Sequence, residues 1–166
     1  MAIPHHRTIL GIHSNVAGSK PGFSDGHAWI SITRVGITTF YGLWPDKHPV
    51  TINNGNKTDI RINLEARAIG LANRYYLLSP AQSKKLDLEI KKNVAWTYTN
   101  TCASWASDVV NEVLFIDIDA DDYMGFETPR ELGKSIIELE KTNPSSRLNP
   151  VPIRLKHNKP NKSSSF

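Results

Sequence analysis

Residues 27 to 44, HAWISITRVGITTFYGLW, alternate polar and apolar side chains on both sides of the short break RVG. Alternation over two runs joined by so short a Gly-containing connection predicts a β-hairpin, because successive strand residues point to opposite faces of a sheet. Placing Thr33 across from Ile37 and counting back puts His27 opposite the Leu43/Trp44 end. His27 is therefore expected at an open end of the sheet, with the LWPD segment beside it.

The rest of the chain is arranged around that hairpin. RTILGIH (7–13) reads as a preceding strand, TDIRINLEARAI begins as another alternating strand, and NRYYLL leads into SPAQ. There Ser79 can cap a helix, Pro80 can take its first position and Gln82 can bond back, so a helix is expected over 80–92. Leu86 and Ile90 share one of its faces. TPRE repeats the signal, with Thr128 and Glu131 as a capping box before a helix over 129–141. Between them Trp105, Ala106, Val109, Val110 and Val113 recur at helical spacing from Cys102, giving an amphipathic helix of about 12 residues capped by Thr99, Asn100 or Thr101. The expected fold class is α+β, a small antiparallel sheet packed against helices.

At 166 residues, 39% hydrophobic and 22% charged, the chain suits one domain. Its net charge of +4 and pI near 9.2 point towards nucleic acid only until the charge is located. Residues 141–166 carry six basic side chains and no acid, leaving 14 basic and 16 acidic side chains on residues 1–140. The expectation is one domain over 1–140 and a basic, Pro/Asn/Ser-rich, loosely ordered tail over 141–166, with no nucleic-acid partner. No segment reaches the roughly 18 apolar residues of a membrane span, and the N-terminus lacks a signal core, so stable membrane insertion and export by the general secretory route are not expected.

Cys102 is the only cysteine, which excludes an intramolecular disulfide or a zinc site built on paired cysteines. It is either a buried thiol or a nucleophile. A thiol in a helix's first turn feels unpaired N–H groups and the positive end of the helix dipole, which favour thiolate and can also hold an oxyanion. A nucleophile needs a base, and His27 at a strand end is the histidine placed to face such a helix start.

GHAWISI, then YGLWPD, then TNTCASWASDVV resembles the circularly permuted branch of the NlpC-type papain-like hydrolases, in which the histidine strand precedes the cysteine helix. The series is similar to small cysteine hydrolase toxins, including amidase effectors of the type VI secretion system and toxin tips of polymorphic proteins, over about residues 8–135. The resemblance implies a papain-like fold with Cys102 as nucleophile, His27 as general base and the Cys102 backbone N–H in the oxyanion hole. Asn100 matches the Asn of an N-x-C turn. Asp46 is the first candidate for the third, imidazole-orienting member, with Asp25, His48 or a bare dyad as alternatives. Trp44 and Trp105 are candidates for contacting substrate, Trp105 also for packing.

The implied activity is hydrolysis of an amide in peptidoglycan stem peptides, by an antibacterial effector made in the cytoplasm and delivered to the target-cell periplasm. The implied partners are a cognate immunity protein and a secretion-machine carrier protein; no cofactor or metal is required. Permuted relatives also act on lipids as acyltransferases or lipases, and on proteins as proteases or deamidases. A non-enzymatic binding module with a structural Cys102 is the alternative of another class.

Other motifs are weaker. Asp117, Asp119 and Asp121 have the first spacings of a calcium loop, but Asp122 stands where glycine is needed and Thr128 where the bidentate Glu belongs. His5 and His6 lack a spaced partner, and no phosphate-binding glycine loop or H-E-x-x-H pattern occurs.

Overall fold

In the structure, a computed structural model that describes residues 7–18, 25–46 and 57–150, the chain forms an α+β fold. Five antiparallel strands, β1 (Thr8–Ser14), β2 (Ala28–Arg34), β3 (Ile37–Leu43), β4 (Ile60–Ile62) and β5 (Ala72–Leu78), lie in the order β4-β3-β2-β1-β5. Helices α1 (Pro80–Glu89), α2 (Cys102–Leu114) and α3 (Pro129–Thr142) follow. His5, His6 and His48 lie outside the described residues.

The hairpin forms with a register one residue from the expected one. Arg34 pairs Ile37 and Thr33 pairs Thr38. The connection is then the two-residue turn Val35-Gly36, with φ of 53° and 74°. Positive φ at both positions is the turn geometry whose twist matches that of the strands, and here it is adopted even though one position is a β-branched valine. Extended by one step past Ala28, this register sets His27 across from Trp44.

Alternation fixes what each sheet face does. Leu10, Ile12, Ala28, Ile30, Ile32 and Leu43 are buried in one core with Cys102, Ala103, Ala106, Val109, Val110 and Val113 of α2, Leu86 of α1, and Leu132 and Ile136 of α3. On the opposite face His13, Trp29 and Ser31 are also buried, so the central strands carry buried side chains on both sides. There His13 Nδ1 donates to Asn73 Oδ1 at 2.8 Å, which leaves Nε2 to accept from the Ser31 hydroxyl at 2.7 Å. Burial dominates this site and lowers the pKa of His13 to about 4 although the Asn73 bond opposes the shift, so this imidazole is neutral.

The helix starts follow their capping residues. Ser79 and Gln82 form the full capping box of α1, and Thr101 with Ser104 forms that of α2. At α3 only half of the expected box forms. Thr128 accepts from the Glu131 N–H, while the Glu131 carboxylate turns to Lys134 at 3.1 Å. Beyond α3, Ser145 is buried and its hydroxyl accepts from the Tyr75 N–H at 2.9 Å, tying the segment after Thr142 to the free edge of β5. No helix among the described residues is long and apolar enough to cross a membrane.

Candidate active site

The α2 helix begins at Cys102 because Thr101 takes an extended conformation and its hydroxyl accepts from the Ser104 N–H at 3.3 Å. A second bond from Thr101 Oγ1 to the Glu127 carbonyl, at 3.0 Å, fixes this helix start against the segment before α3. Of the three candidate caps, Thr101 is the one used. Asn100 instead donates through Nδ2 to the Ala95 carbonyl at 3.2 Å and pairs with Thr97 in the tight turn before the helix. Cys102 is 8% exposed and belongs to the core cluster. Its thiol is thus shielded but reaches the floor of a cleft.

That cleft has a volume of about 750 Å³, and Cys102 and His27 both line it. Its walls are largely apolar and aromatic, with Leu43, Trp44, Trp96, Tyr98, Phe126 and Pro129. Trp96 and Tyr98 arrive because Asp59 fixes their segment, its N–H donating to the Val94 carbonyl at 2.7 Å and its Oδ2 accepting from the Trp96 N–H at 2.8 Å. Phe126 is carried by the loop before α3, where the Asp122 carboxylate accepts from Thr128 at 2.6 Å and from Arg130 at 2.5 and 2.9 Å. Those bonds take up Asp122, and Asp119 accepts the Asp121 N–H at 2.9 Å. Among the described residues no group of His, Cys, Asp and Glu is assembled that could hold a metal ion.

His27 stands just before β2, with its ring set on Trp29 (centroids 5.8 Å apart, nearly parallel) and close to Trp44 (3.9 Å). Its Nε2 lies 2.6 Å from Glu65 Oε1, and the same oxygen accepts from Trp44 Nε1 at 2.6 Å. With Nε2 committed to the carboxylate, Nδ1 is the ring nitrogen left to serve Cys102. Burial by itself would push the His27 pKa down; the Cys102 side chain and then Glu65 outweigh it and raise the value to about 9. At neutral pH the ring is an imidazolium between the Cys102 sulfur and a buried carboxylate.

Glu65 is the side chain at His27 that sequence reasoning missed. It is 1% exposed, lies in the turn that follows β4, and its Oε2 has no hydrogen-bond partner among the described residues. An orphaned buried carboxylate oxygen costs about 1–3 kcal/mol or more, so the imidazolium and indole N–H on Oε1 must offset it. The only available signal was that Glu65 is the sole acid between Asp59 and Asp87. Gly42 supports the arrangement by having no side chain. A Cβ there would lie 2.9 Å from His27 Nε2 and closer still to Glu65 Oε1.

Asp46, the expected third member, pairs instead with Arg61 at 2.6 Å and keeps a half-exposed side chain. Asp46 meets the buried guanidinium of Arg61 on β4, while the turn after β4 brings Glu65 to the ring. Asp25 is exposed at the approach to His27. Trp44 lines the cleft, whereas Trp105 is 4% exposed within the core and does not line it, so its contribution is packing. Cys102, His27 and Glu65 form a thiol, an imidazole and a buried carboxylate in series, and that series can transfer an acyl group through a thioester. The chain matches no protein-family model, no curated protein and no solved structure.

Proposed function

We propose that this protein is a cysteine hydrolase of papain-like, circularly permuted type that cleaves an amide bond, with peptidoglycan stem peptides as substrate. The observation that carries the reading is His27, whose ring is bonded to buried Glu65 on Nε2 and raised in pKa by Cys102 and Glu65 together. In this mechanism the proton that Cys102 gives up rests on the His27 ring, and the thiolate attacks the amide carbon. His27 returns the proton to the departing amine, and water then resolves the thioester. Glu65 fixes the tautomer and stabilises the imidazolium without taking its proton. An effector role, with delivery to a target-cell periplasm, a carrier and a cognate immunity protein, belongs to the same proposal through the motif resemblance in GHAW, YGLWPD and TNTCASW.

A second reading is favoured by the cleft wall. Leu43, Trp44, Trp96, Tyr98 and Phe126 offer apolar surface suited to an acyl chain, so a lipid ester or amide is the competing substrate. Incubating purified sacculi with the protein and with Cys102→Ala, then resolving the fragments by mass spectrometry, decides between them. A stem amide cut only by the wild type supports the first reading. Intact sacculi together with fatty acid released from phospholipid vesicles would give the site to lipid.

A further inference from the structure

Asn15 extends the β1–β2 ladder by one pair. Its N–H donates to the His27 carbonyl at 3.2 Å, and its side-chain Oδ1 accepts from the His27 N–H at 2.8 Å. Because a backbone N–H can only donate, the oxygen end of the amide is assigned by chemistry, and Nδ2 is the end turned away. Among the described residues no group accepts from Nδ2. Asn15 is exposed, and it lines the cleft together with His27 and Cys102.

The segment that carries it is held on several sides. The Ser14 hydroxyl donates to the Pro129 carbonyl at 2.7 Å, and the Gly18 N–H donates to the Arg130 carbonyl at 3.1 Å. Gly133 of α3 packs directly on the Val16 carbonyl, where a Cβ would collide with it. Gly26, with φ of 94°, leaves room for Val16 and for Asn15 Oδ1, 3.2 Å from where its own Cβ would be. A polar amide is thus fixed at the cleft with its donor end given no acceptor among the described residues.

We propose that Asn15 Nδ2 is a second oxyanion donor of this site, working with the backbone N–H of Cys102. The Thr101 cap takes the Ser104 N–H and leaves that of Cys102 without a helical acceptor. When the thiolate attacks a carbonyl, a C–S bond forms and the π pair moves onto oxygen. Asn15 and Cys102 hold that charge until the C=O re-forms and the C–N bond breaks, with the amine taking the proton from His27. Donors fixed before the reaction cost no reorganisation as the charge develops. The inference rests on the reading of Cys102 as a nucleophile.

Two reagents separate the roles. p-Nitrophenyl acetate acylates a thiolate through a tetrahedral oxyanion, and iodoacetamide alkylates it by displacement, with no oxyanion. For Asn15→Ala, acylation of Cys102 should slow on the order of a hundredfold or more while alkylation stays within about twofold. Asn15→Asp keeps an acceptor for the His27 N–H and replaces the donor with oxygen; it should lose acylation as strongly and alkylate within a few-fold of wild type. Equal slowing with both reagents in both variants would overturn the proposal and make Asn15 a positioning residue for His27, as would unchanged acylation. If wild-type Cys102 reacts with both reagents no faster than free cysteine, the nucleophile reading falls and the oxyanion role falls with it.

Discussion

Glu65 reaches His27 across the backbone of Gly42, through space that any side chain at position 42 would occupy. The Cys102–His27–Glu65 series therefore depends on a residue that offers no functional group. Gly42→Ala should displace the carboxylate from Nε2, release the imidazole to other rotamers and slow turnover on the order of a hundredfold, the scale of a misplacement near 1 Å. The strain of overpacking should cost about 1–3 kcal/mol of stability, so the fold should survive. Thermal melts and alkylation rates of the variant check both parts. Wild-type alkylation by a folded Gly42→Ala protein would show that the Glu65 contact does not act on the site.

The pH dependence follows from the same contact. The folded pKa of His27, raised from 6.5 to about 9, lies above its unfolded value. The stabilisation from protonated His27 is therefore complete below about pH 6.5 and is lost as pH rises through 9. The thermal midpoint should fall between pH 7 and 9.5. Turnover should show a basic limb near 9, where the proton for the leaving amine is lost. Glu65→Gln removes one of the charges that raise the value, so its basic limb should move to lower pH. A limb that stays put in Glu65→Gln would assign it to another group.

The fold was legible where local patterning decided it. The β1–β3 strands, the caps at Ser79 and Thr128 and the face of α2 all follow from alternation, helical spacing and side-chain hydrogen bonding over three residues. Cys102 and His27 were legible because a helix start and a strand end are each marked by nearby residues. Glu65 was not, because its role comes from the path of the turn after the short β4, and nothing local marks which of several carboxylates returns to the ring. Asp46 looked better by chain proximity, yet a strand neighbour is not a site neighbour when Arg61 is the closer charge. The register also escaped by one residue, since Val35 is an unfavourable choice for the positive φ that the turn takes.

Cys102→Ala tests the thiol apart from the fold. The side chain is small and lies at the end of the core, so its loss should lower stability by about 1 kcal/mol or less. The His27 pKa should fall, because the Cys102 side chain is the largest of the contributions that raise it. NMR titration of the His27 ring in wild type and variant measures this directly. Equal titration curves would mean that the two side chains do not interact, and the thiol–imidazole pair would be abandoned.

His13 should set an acid limit on stability. It is held neutral by burial, between Ser31 and Asn73, with Trp29 stacked 5.5 Å away and Tyr75 edge-on at 5.6 Å. Its folded pKa of about 4 lies below the unfolded value of 6.5, so between those values the unfolded chain binds a proton that the native state excludes. Stability should be complete above pH 6.5 and decline as pH falls through 4. His13→Gln, which can still bond to Ser31 or Asn73 and does not titrate, should start from a lower midpoint but lose less of it between pH 6.5 and 4. Chemical denaturation at pH 7, 5.5 and 4.5 in both proteins gives the comparison. Parallel losses would transfer the acid sensitivity to groups other than His13.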